Sequence, residues 1–228
     1  MTIGLIGGTG PEGLGLAMRF ALSGQEIYVG SRDLQRAEDA ADVIRTAVQG
    51  KCSDVPILGV ENHDAVLQAD IVVVVVPYAG HASILTSLRD VIADKILIDA
   101  VVPLRFDGAC PSIITVAEGS AAQQAQTLLP EARVVGAFHN FSAQKLQDIS
   151  NPALGDVLVT GDSVDAKDTV INLIGNIGDL RGIDAGPLSL SKFVEDITAV
   201  LLSINYRYRS NTSVCVVGLD DSKYQRKD

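Results

Sequence analysis

Two short stretches near the start of the chain carry residue types suited to holding phosphate groups. Residues 8–13 read GTGPEG and fit the spacing G-x-G-x-x-G. A turn of this kind between a strand and a helix needs glycine for a tight bend and for close approach of the backbone to a pyrophosphate. The amides at the helix start then face the negative charge of the ligand. We therefore predict a dinucleotide-binding turn formed by Gly8, Thr9, Gly10, Pro11, Glu12 and Gly13.

The second stretch follows the next predicted strand and discriminates between dinucleotides. NAD sites of this type place an acidic residue there to bind the ribose hydroxyls. Here the strand ends at Ser31 and Arg32, and Arg36 follows one helical turn later. A hydroxyl and two guanidinium groups favour the 2′-phosphate of NADP through charge-assisted hydrogen bonds. Alternatively, Asp33 and Glu38 could pair with these arginines, which would make them ordinary surface residues.

Strand and helix signals alternate along the chain and must position both stretches. The apolar run at 71–76 predicts a strand buried on both faces, at the centre of a parallel sheet. The pattern predicts an α/β fold: a Rossmann-type, doubly wound and mainly parallel sheet with a small C-terminal helical appendage. We predict an NADP-binding domain at 1–184 and a helical segment at 185–228 that closes the cleft. The predicted strands are 2–6, 25–29, 57–60, 71–76, 95–101, 133–137, 157–160 and 181–184, and predicted helices include 14–23, 62–68, 120–129 and 189–208.

Two further groups of residues follow predicted strands and are candidates for the cofactor site. Pro77 and Tyr78 come after the 71–76 strand, and Val101 and Pro103 come at the end of the next one. Ligands of open α/β sheets bind outside the carboxyl ends of the strands. We expect these four residues to border the adenine and nicotinamide, although packing alone would also explain Tyr78.

Composition excludes several classes of function. The net charge of −10 argues against general binding of nucleic acid, which needs a basic surface. The longest apolar run is too short to span a membrane, and we predict a cytoplasmic protein. The three cysteines and three histidines show no metal-ligand spacing, so we expect no metal.

Four segments together resemble the F420-dependent NADP reductase family. They are LIGGTGPEGLG, VGSRD, AFHNFSA at 137–143 and RGIDAGPLS at 181–189, and the similarity extends from residue 2 to about residue 219. The resemblance implies hydride transfer between NADPH and the deazaflavin coenzyme F420 in a homodimer held partly by the C-terminal region. It assigns His139, Asn140, Phe141 and Ser142 to the deazaflavin side, with His139 as an electrostatic and positioning residue, and Pro187, Leu188 and Ser189 to the cleft wall.

Part of the C-terminal region departs from the family pattern. Family members often have Asn and Arg where this chain has Leu190-Ser191-Lys192. The coenzyme carries a phosphate and a glutamate tail, so an acidic protein must present local positive charge. Lys192, Arg207 and Arg209 are our hypothesis for that role.

Two alternatives remain from the residues. An NADPH-dependent reductase acting on a flavin or a small imine would share the opening fold, but imine reductases normally carry a longer helical C-terminal domain. A non-catalytic NADP(H) sensor would bind NADPH without oxidising it.

Overall fold

A computed structural model of the chain describes residues 1–51, 54–106, 111–178 and 180–219. The strands are β1 (Thr2–Ile6), β2 (Glu26–Ser31), β3 (Ile57–Glu61), β4 (Ile71–Val74), β5 (Ile96–Asp99), β6 (Leu104–Arg105), β7 (Ser112–Ile113), β8 (Arg133–Gly136), β9 (Gly155–Gly161) and β10 (Leu180–Asp184). The helices are α1 (Pro11–Leu22), α2 (Leu34–Val48), α3 (Asn62–Gln68), α4 (Tyr78–Ser87), α5 (Arg89–Ile92), α6 (Ala121–Leu128), α7 (Ala143–Gln147), α8 (Val164–Gly175) and α9 (Ser191–Tyr208), with a 3-10 turn at Leu188–Leu190 before α9.

Within these residues, eight strands form one sheet in the order β10-β9-β8-β5-β4-β1-β2-β3. Strands β3, β2, β1, β4, β5 and β8 run parallel, whereas β9 pairs with β8 in the antiparallel direction. The predicted Rossmann-type, mainly parallel sheet is therefore confirmed. The reversal at β9 arises because the connection from β8 contains α7 and stays at the carboxyl end of β8, so β9 starts there and runs back.

Helices cover both faces of the sheet, as the apolar run at the centre predicts. Ile71 and Val73 of β4 point into the core beneath α1 and α2, and Val72 and Val74 point into the core beneath α3, α4 and α6. All four side chains are at most 1% exposed. Successive strand residues face opposite sides, so only a strand buried on both faces can be apolar throughout.

The eight predicted strands are present, with ends that differ by a few residues. Helix α1 begins at Pro11 rather than at residue 14, because proline is well suited to the first helical position. The sequence analysis did not identify α4, α5, α7, α8 or the β6–β7 hairpin. Helix α4 shows the reason: it buries only His81 and Leu85, so its sequence lacks a continuous apolar stripe.

A buried arginine fixes α7 against α1. Arg19 is 6% exposed, and its guanidinium donates to the carbonyl oxygens of Lys145, Leu146, Asp148 and Asn151 at 2.6–3.0 Å. The side chain of Gln147 also donates to the carbonyl of Pro11, at 2.7 Å. These bonds hold the segment that follows β8 beside the glycine-rich turn.

Candidate active site

The glycine-rich turn joins the carboxyl end of β1 to α1 and packs against its own backbone. The Gly8 amide donates to the carbonyl of Gly30 at 3.0 Å, which ties the turn to β2. A Cβ on Gly13 would lie 2.5 Å from the carbonyl oxygen of Gly8, so residue 13 cannot carry a side chain in this turn. A Cβ on Gly10 would meet no atom within 4 Å. The fold leaves space over Gly10, at the start of α1, where a pyrophosphate can approach the backbone.

The end of β2 presents one buried hydroxyl and two exposed guanidinium groups. Ser31 Oγ accepts a hydrogen bond from the Asp33 amide at 3.2 Å, which leaves its own proton available to a ligand. The carboxylate of Asp33 caps α2 by accepting from the Arg36 amide at 3.3 Å. Across the ranges the structure covers, neither the Arg32 nor the Arg36 guanidinium forms an ion pair, and both side chains are exposed.

A cavity of about 610 Å³ lies at the carboxyl ends of β4, β5 and β8, beneath α9. Helix α9 contributes Thr198, Leu201, Leu202 and Asn205 to its wall. The cavity brings together residues that are far apart in the sequence but follow neighbouring strands, as expected for an α/β sheet. The predicted site residues that line it are Glu12, Pro77, Tyr78, His139, Asn140, Phe141 and Ser142.

Other predicted site residues lie outside the cavity wall. Val101 and Pro103 are buried away from it, while Ala100, Val102 and Leu104 line it, as alternation along an extended segment requires. Leu188 is buried in the core beneath α6, and Pro187 and Ser189 are exposed on the 3-10 turn. Their assignment to the cleft wall remains a prediction.

His139 lies in a strained loop that directly follows β8. The preceding residue, Phe138, has a φ of 69°, a left-handed conformation that is costly for an aromatic residue. The His139 ring is 3% exposed, and neither ring nitrogen has a hydrogen-bond partner among the described residues. Burial lowers the pKa of His139 to about 4, so the imidazole is neutral at pH 7. Its two nitrogens therefore offer one donor and one acceptor at the cavity.

The side chains of Asn140 and Ser142, which follow His139, form hydrogen bonds with other parts of the protein. The Asn140 side chain donates to the carbonyl of Asp156 at 2.7 Å and accepts from the Leu158 amide at 3.3 Å. Ser142 Oγ donates to Oδ1 of Asn211 at 3.3 Å. Asn140 thus fixes the loop on β9 through both the nitrogen and the oxygen of its side-chain amide.

Glu12 places a buried carboxyl group at the edge of the cavity, in the first turn of α1. Its Oε1 atom is buried and has no hydrogen-bond partner in the described parts of the chain. Burial raises the pKa of Glu12 to about 8. The side chain is consequently neutral at pH 7, which removes the repulsion that a carboxylate would exert on a nearby pyrophosphate.

We expect Glu12→Gln to stabilise the protein at pH 8 by a few kcal/mol, because the unfolded chain ionises this carboxyl at pH 8 and burial in the folded protein opposes its ionisation, whereas an amide does not titrate. The pKa of Glu12 in the folded protein, about 8, lies above the ordinary value of 4.5 for a glutamate side chain. The Glu12 carboxyl therefore loses its proton at a lower pH in the unfolded chain than in the folded protein, and the stability of the fold decreases as pH rises from 4.5 to 8. The gain in melting temperature should be near zero at pH 4.5 and largest at pH 8. Thermal unfolding across this pH range measures it, with the exposed Glu38→Gln as control; equal gains at every pH would contradict the assignment.

The three basic residues proposed for the coenzyme tail lie along α9 and just after it. Lys192 Nζ forms an ion pair with Asp196 at 2.7 Å, one helical turn away. Arg207 and Arg209 are exposed at the end of α9, and none of the three lines the cavity. Their role in binding the coenzyme remains a prediction.

The structure also reveals a buried polar cluster beside the cavity that the sequence analysis missed. His81 and Asp99 are both 0% exposed, and Nε2 of His81 lies 2.8 Å from Oδ2 of Asp99. Glu195 of α9, 1% exposed, accepts from the amides of Ala121 and Ala122 at 2.9 and 3.1 Å. Asp99 is the single charged residue that ends the apolar strand β5, and such a residue at a carboxyl end is a usable signal.

Two classes of feature are absent from the residues that the structure describes. No group of three or more His, Cys, Asp or Glu side chains could hold a metal ion. No helix in these ranges is long and apolar enough to cross a lipid bilayer.

Comparison with known proteins identifies the family. The F420-dependent NADP reductase of Methanothermobacter thermautotrophicus is 39% identical over 228 residues, covering 98% of this chain and 97% of that protein. The chain belongs to the F420-dependent NADP reductase family. The family model described as "NADP oxidoreductase coenzyme F420-dependent" matches residues 2–103.

Two further relatives extend the similarity across the F420-dependent NADP reductase family. The enzyme of that name from Methanocaldococcus jannaschii is 35% identical, covering 96% of this chain and 100% of that protein. A solved structure from Arthrobacter sp. FB24, described as a candidate F420-dependent NADP reductase, superposes with a TM-score of 0.79. It is 26% identical and covers 94% of this chain and 98% of that chain.

Proposed function

We propose that this protein transfers a hydride between NADPH and coenzyme F420, as the names of its relatives indicate. The observation that carries the proposal is the pairing of two features at one edge of the sheet. One is a glycine turn with open space over Gly10, next to two arginines at the end of β2 that form no ion pair with any described residue. The other is a cavity of about 610 Å³ lined by residues with polar atoms that have no hydrogen-bond partner in the described part of the chain.

The residues present fit both substrates. The amides at the start of α1 suit a pyrophosphate, and Ser31, Arg32 and Arg36 suit a 2′-phosphate. The nitrogens of His139, which no described residue hydrogen-bonds, suit the polar edge of a ring system entering the cavity. Buried polar atoms without partners are costly, so a ligand that satisfies them gains affinity.

The chemistry resides in the two bound substrates, since reduced nicotinamide supplies a hydride and the deazaflavin accepts it. The protein's residues bind and orient. Ordering two reactants in one site can lower a barrier by about 7–11 kcal/mol. Leu201 and Leu202 of α9 cover the cavity and exclude water, and His139 stays neutral at pH 7 and keeps one donor and one acceptor.

Several finer assignments accompany this proposal. Residues 1–184 form the NADP-binding domain, and the predicted segment 185–228, of which 220–228 lie outside the described residues, closes the cleft. A homodimer forms through α9, because large apolar side chains of that helix are exposed, including Phe193 at 66% and Val200 at 55%. The location is cytoplasmic, where the exposed free thiol of Cys215 would remain reduced. Sedimentation of the full chain measures the assembly.

The test of the proposed function is a direct mixing experiment. We expect NADPH to bleach the absorbance of oxidised F420 in the presence of the protein, with little reduction of FMN at the same concentration. Comparable rates with FMN would identify a flavin reductase instead. Tight NADPH binding without oxidation in either mixture would indicate a sensor. The match of the relatives over nearly the whole chain disfavours both the sensor and the imine reductase.

A further inference from the structure

The buried pair of His81 and Asp99 connects to the cavity through one glutamine and one tyrosine. Nδ1 of His81 lies 3.0 Å from Oε1 of Gln124, on the side of the ring opposite Asp99. Nε2 of Gln124 lies 3.4 Å from the hydroxyl of Tyr78 and 3.2 Å from a carboxylate oxygen of Glu118. Tyr78 lines the cavity and stacks on His81, with ring centroids 6.1 Å apart.

The orientation of the Gln124 amide follows from its neighbours. The carboxylate of Glu118 accepts hydrogen bonds only, so the NH₂ group of Gln124 must face it. The carbonyl oxygen of Gln124 then faces Nδ1 of His81, which must carry a proton. Nε2 of His81 faces Oδ2 of Asp99 at 2.8 Å and carries a proton too, because a carboxylate only accepts hydrogen bonds. The other oxygen, Oδ1, accepts from the Val101 amide at 2.9 Å.

The surroundings of His81 support a doubly protonated ring. Burial by itself would lower the pKa of His81, but the charge and hydrogen bond of Asp99 and the hydrogen bond of Gln124 outweigh it and raise the pKa. Burial raises the pKa of Glu195, which reaches the cluster from α9, to about 8, so this carboxyl is neutral at pH 7 and adds no charge to the pair. His139, which is also near Asp99, is neutral at pH 7 and adds no opposing charge.

The direction of the tyrosine hydroxyl is then determined. Tyr78 Oη accepts from Gln124, so its own proton points elsewhere. Among the described groups no acceptor for that proton is present, and the side chain borders the cavity. We propose that Tyr78 donates a hydrogen bond to a carbonyl oxygen on the reacting ring system of a substrate in the cavity, and that Asp99, His81 and Gln124 are positioning residues that orient its hydroxyl.

This inference rests on the proposed function for the nature of the substrate. Both the carboxamide of nicotinamide and the pyrimidine ring of the deazaflavin carry carbonyl oxygens. A ring carbonyl that gains negative charge as the hydride arrives is held more strongly by such a donor, so the effect should appear in kcat as well as in KM.

A double-mutant cycle between Tyr78→Phe and Gln124→Met tests the connection. We expect Tyr78→Phe to lower kcat/KM about tenfold, the equivalent of one neutral hydrogen bond. Gln124→Met should lower it about three- to tenfold, and the double variant should be no worse than Tyr78→Phe alone. Gln123→Met, a neighbouring position on α6, is the matched control and should stay within twofold of the parent chain. Separate dissociation constants for NADPH and F420 identify which substrate carries the carbonyl.

Losses that multiply in the double variant would overturn the proposal, because Gln124 would then act independently of Tyr78. An unchanged kcat/KM and unchanged dissociation constants in Tyr78→Phe would overturn it as well. The melting temperature of each variant is measured so that kinetics are compared only between folded proteins.

The hydrogen-bonded series Asp99–His81–Gln124–Tyr78, called the relay below, can be tested by a second measurement if Gln124→Met fails to fold. The chain has three histidines, so the imidazole nitrogens of ¹⁵N-histidine-labelled protein can be resolved and assigned with the exposed His63→Gln variant. We expect both His81 nitrogens to be protonated at pH 7 in the unliganded protein, with His139 neutral. A neutral His81 would overturn the relay. This result does not depend on F420, so failure of the relay and failure of the proposed reaction are distinguishable.

Discussion

Gly10→Ala should lower the affinity for NADPH about 100-fold and leave the unliganded fold intact. Gly10 has ordinary extended backbone angles, with φ −82° and ψ 170°, and a Cβ there meets no atom within 4 Å. The added methyl group would occupy the space over the start of α1 and keep a pyrophosphate from the amides. Loss of two charge-assisted hydrogen bonds at about 1.5 kcal/mol each corresponds to about 100-fold.

Gly13→Ala should show the opposite behaviour. Its Cβ would lie 2.5, 2.6 and 2.7 Å from the carbonyl oxygen, Cα and carbonyl carbon of Gly8, and backbone cannot yield as a flexible side chain does. We expect a loss of about 3 kcal/mol or more in the free energy of unfolding. For a chain of this size that corresponds to a fall in melting temperature of about 6–12 °C.

Thermal unfolding and NADPH titration of both variants check this pair of predictions. Gly175→Ala is the matched control, because it lies at the end of α8 and a Cβ there also meets nothing within 4 Å. It should change neither property appreciably. Undiminished NADPH affinity in Gly10→Ala would place the pyrophosphate elsewhere and contradict the predicted role of the turn.

Replacing Arg32 and Arg36 together with alanine should abolish the preference for NADPH over NADH. Both side chains are exposed, and neither is paired with an acidic residue within the ranges described. The carboxylate of Asp33 caps α2 by accepting from the Arg36 amide, and among the described residues it forms no ion pair with either guanidinium. Two charge-assisted hydrogen bonds to a phosphate at about 1.5–2 kcal/mol each give a loss of about 100- to 1,000-fold for NADPH, with little change for NADH.

Calorimetric titration with both dinucleotides measures this discrimination. Because the arginines are exposed, the NADPH affinity of the parent chain should also fall as ionic strength rises. Arg89→Ala is the control, since α5 leads into β5 at the amino end of the sheet and its arginine is also exposed. A parent chain that binds NADH as tightly as NADPH, or a double variant that loses both equally, would contradict the electrostatic assignment.

The sequence by itself determined the central sheet and the chemistry at its first turn. Glycine spacing and unbroken apolar runs are local consequences of steric and burial requirements, so they can be read without knowing which segments become neighbours. That is why β1, β4 and the turn at 8–13 were predictable. The identities of Ser31, Arg32 and Arg36 likewise indicate the phosphate before any fold is known.

Only the tertiary structure decided how distant residues combine. His81, Asp99, Gln124 and Glu195 come from four separate elements and meet because the sheet brings the ends of β4 and β5 together beneath α6 and α9. The reversal of β9 and the strained loop at Phe138 depend on the path of the connection after β8. Burial, which raises the pKa of Glu12 and lowers that of His139, is a property of all the neighbours at once and has no counterpart in local sequence.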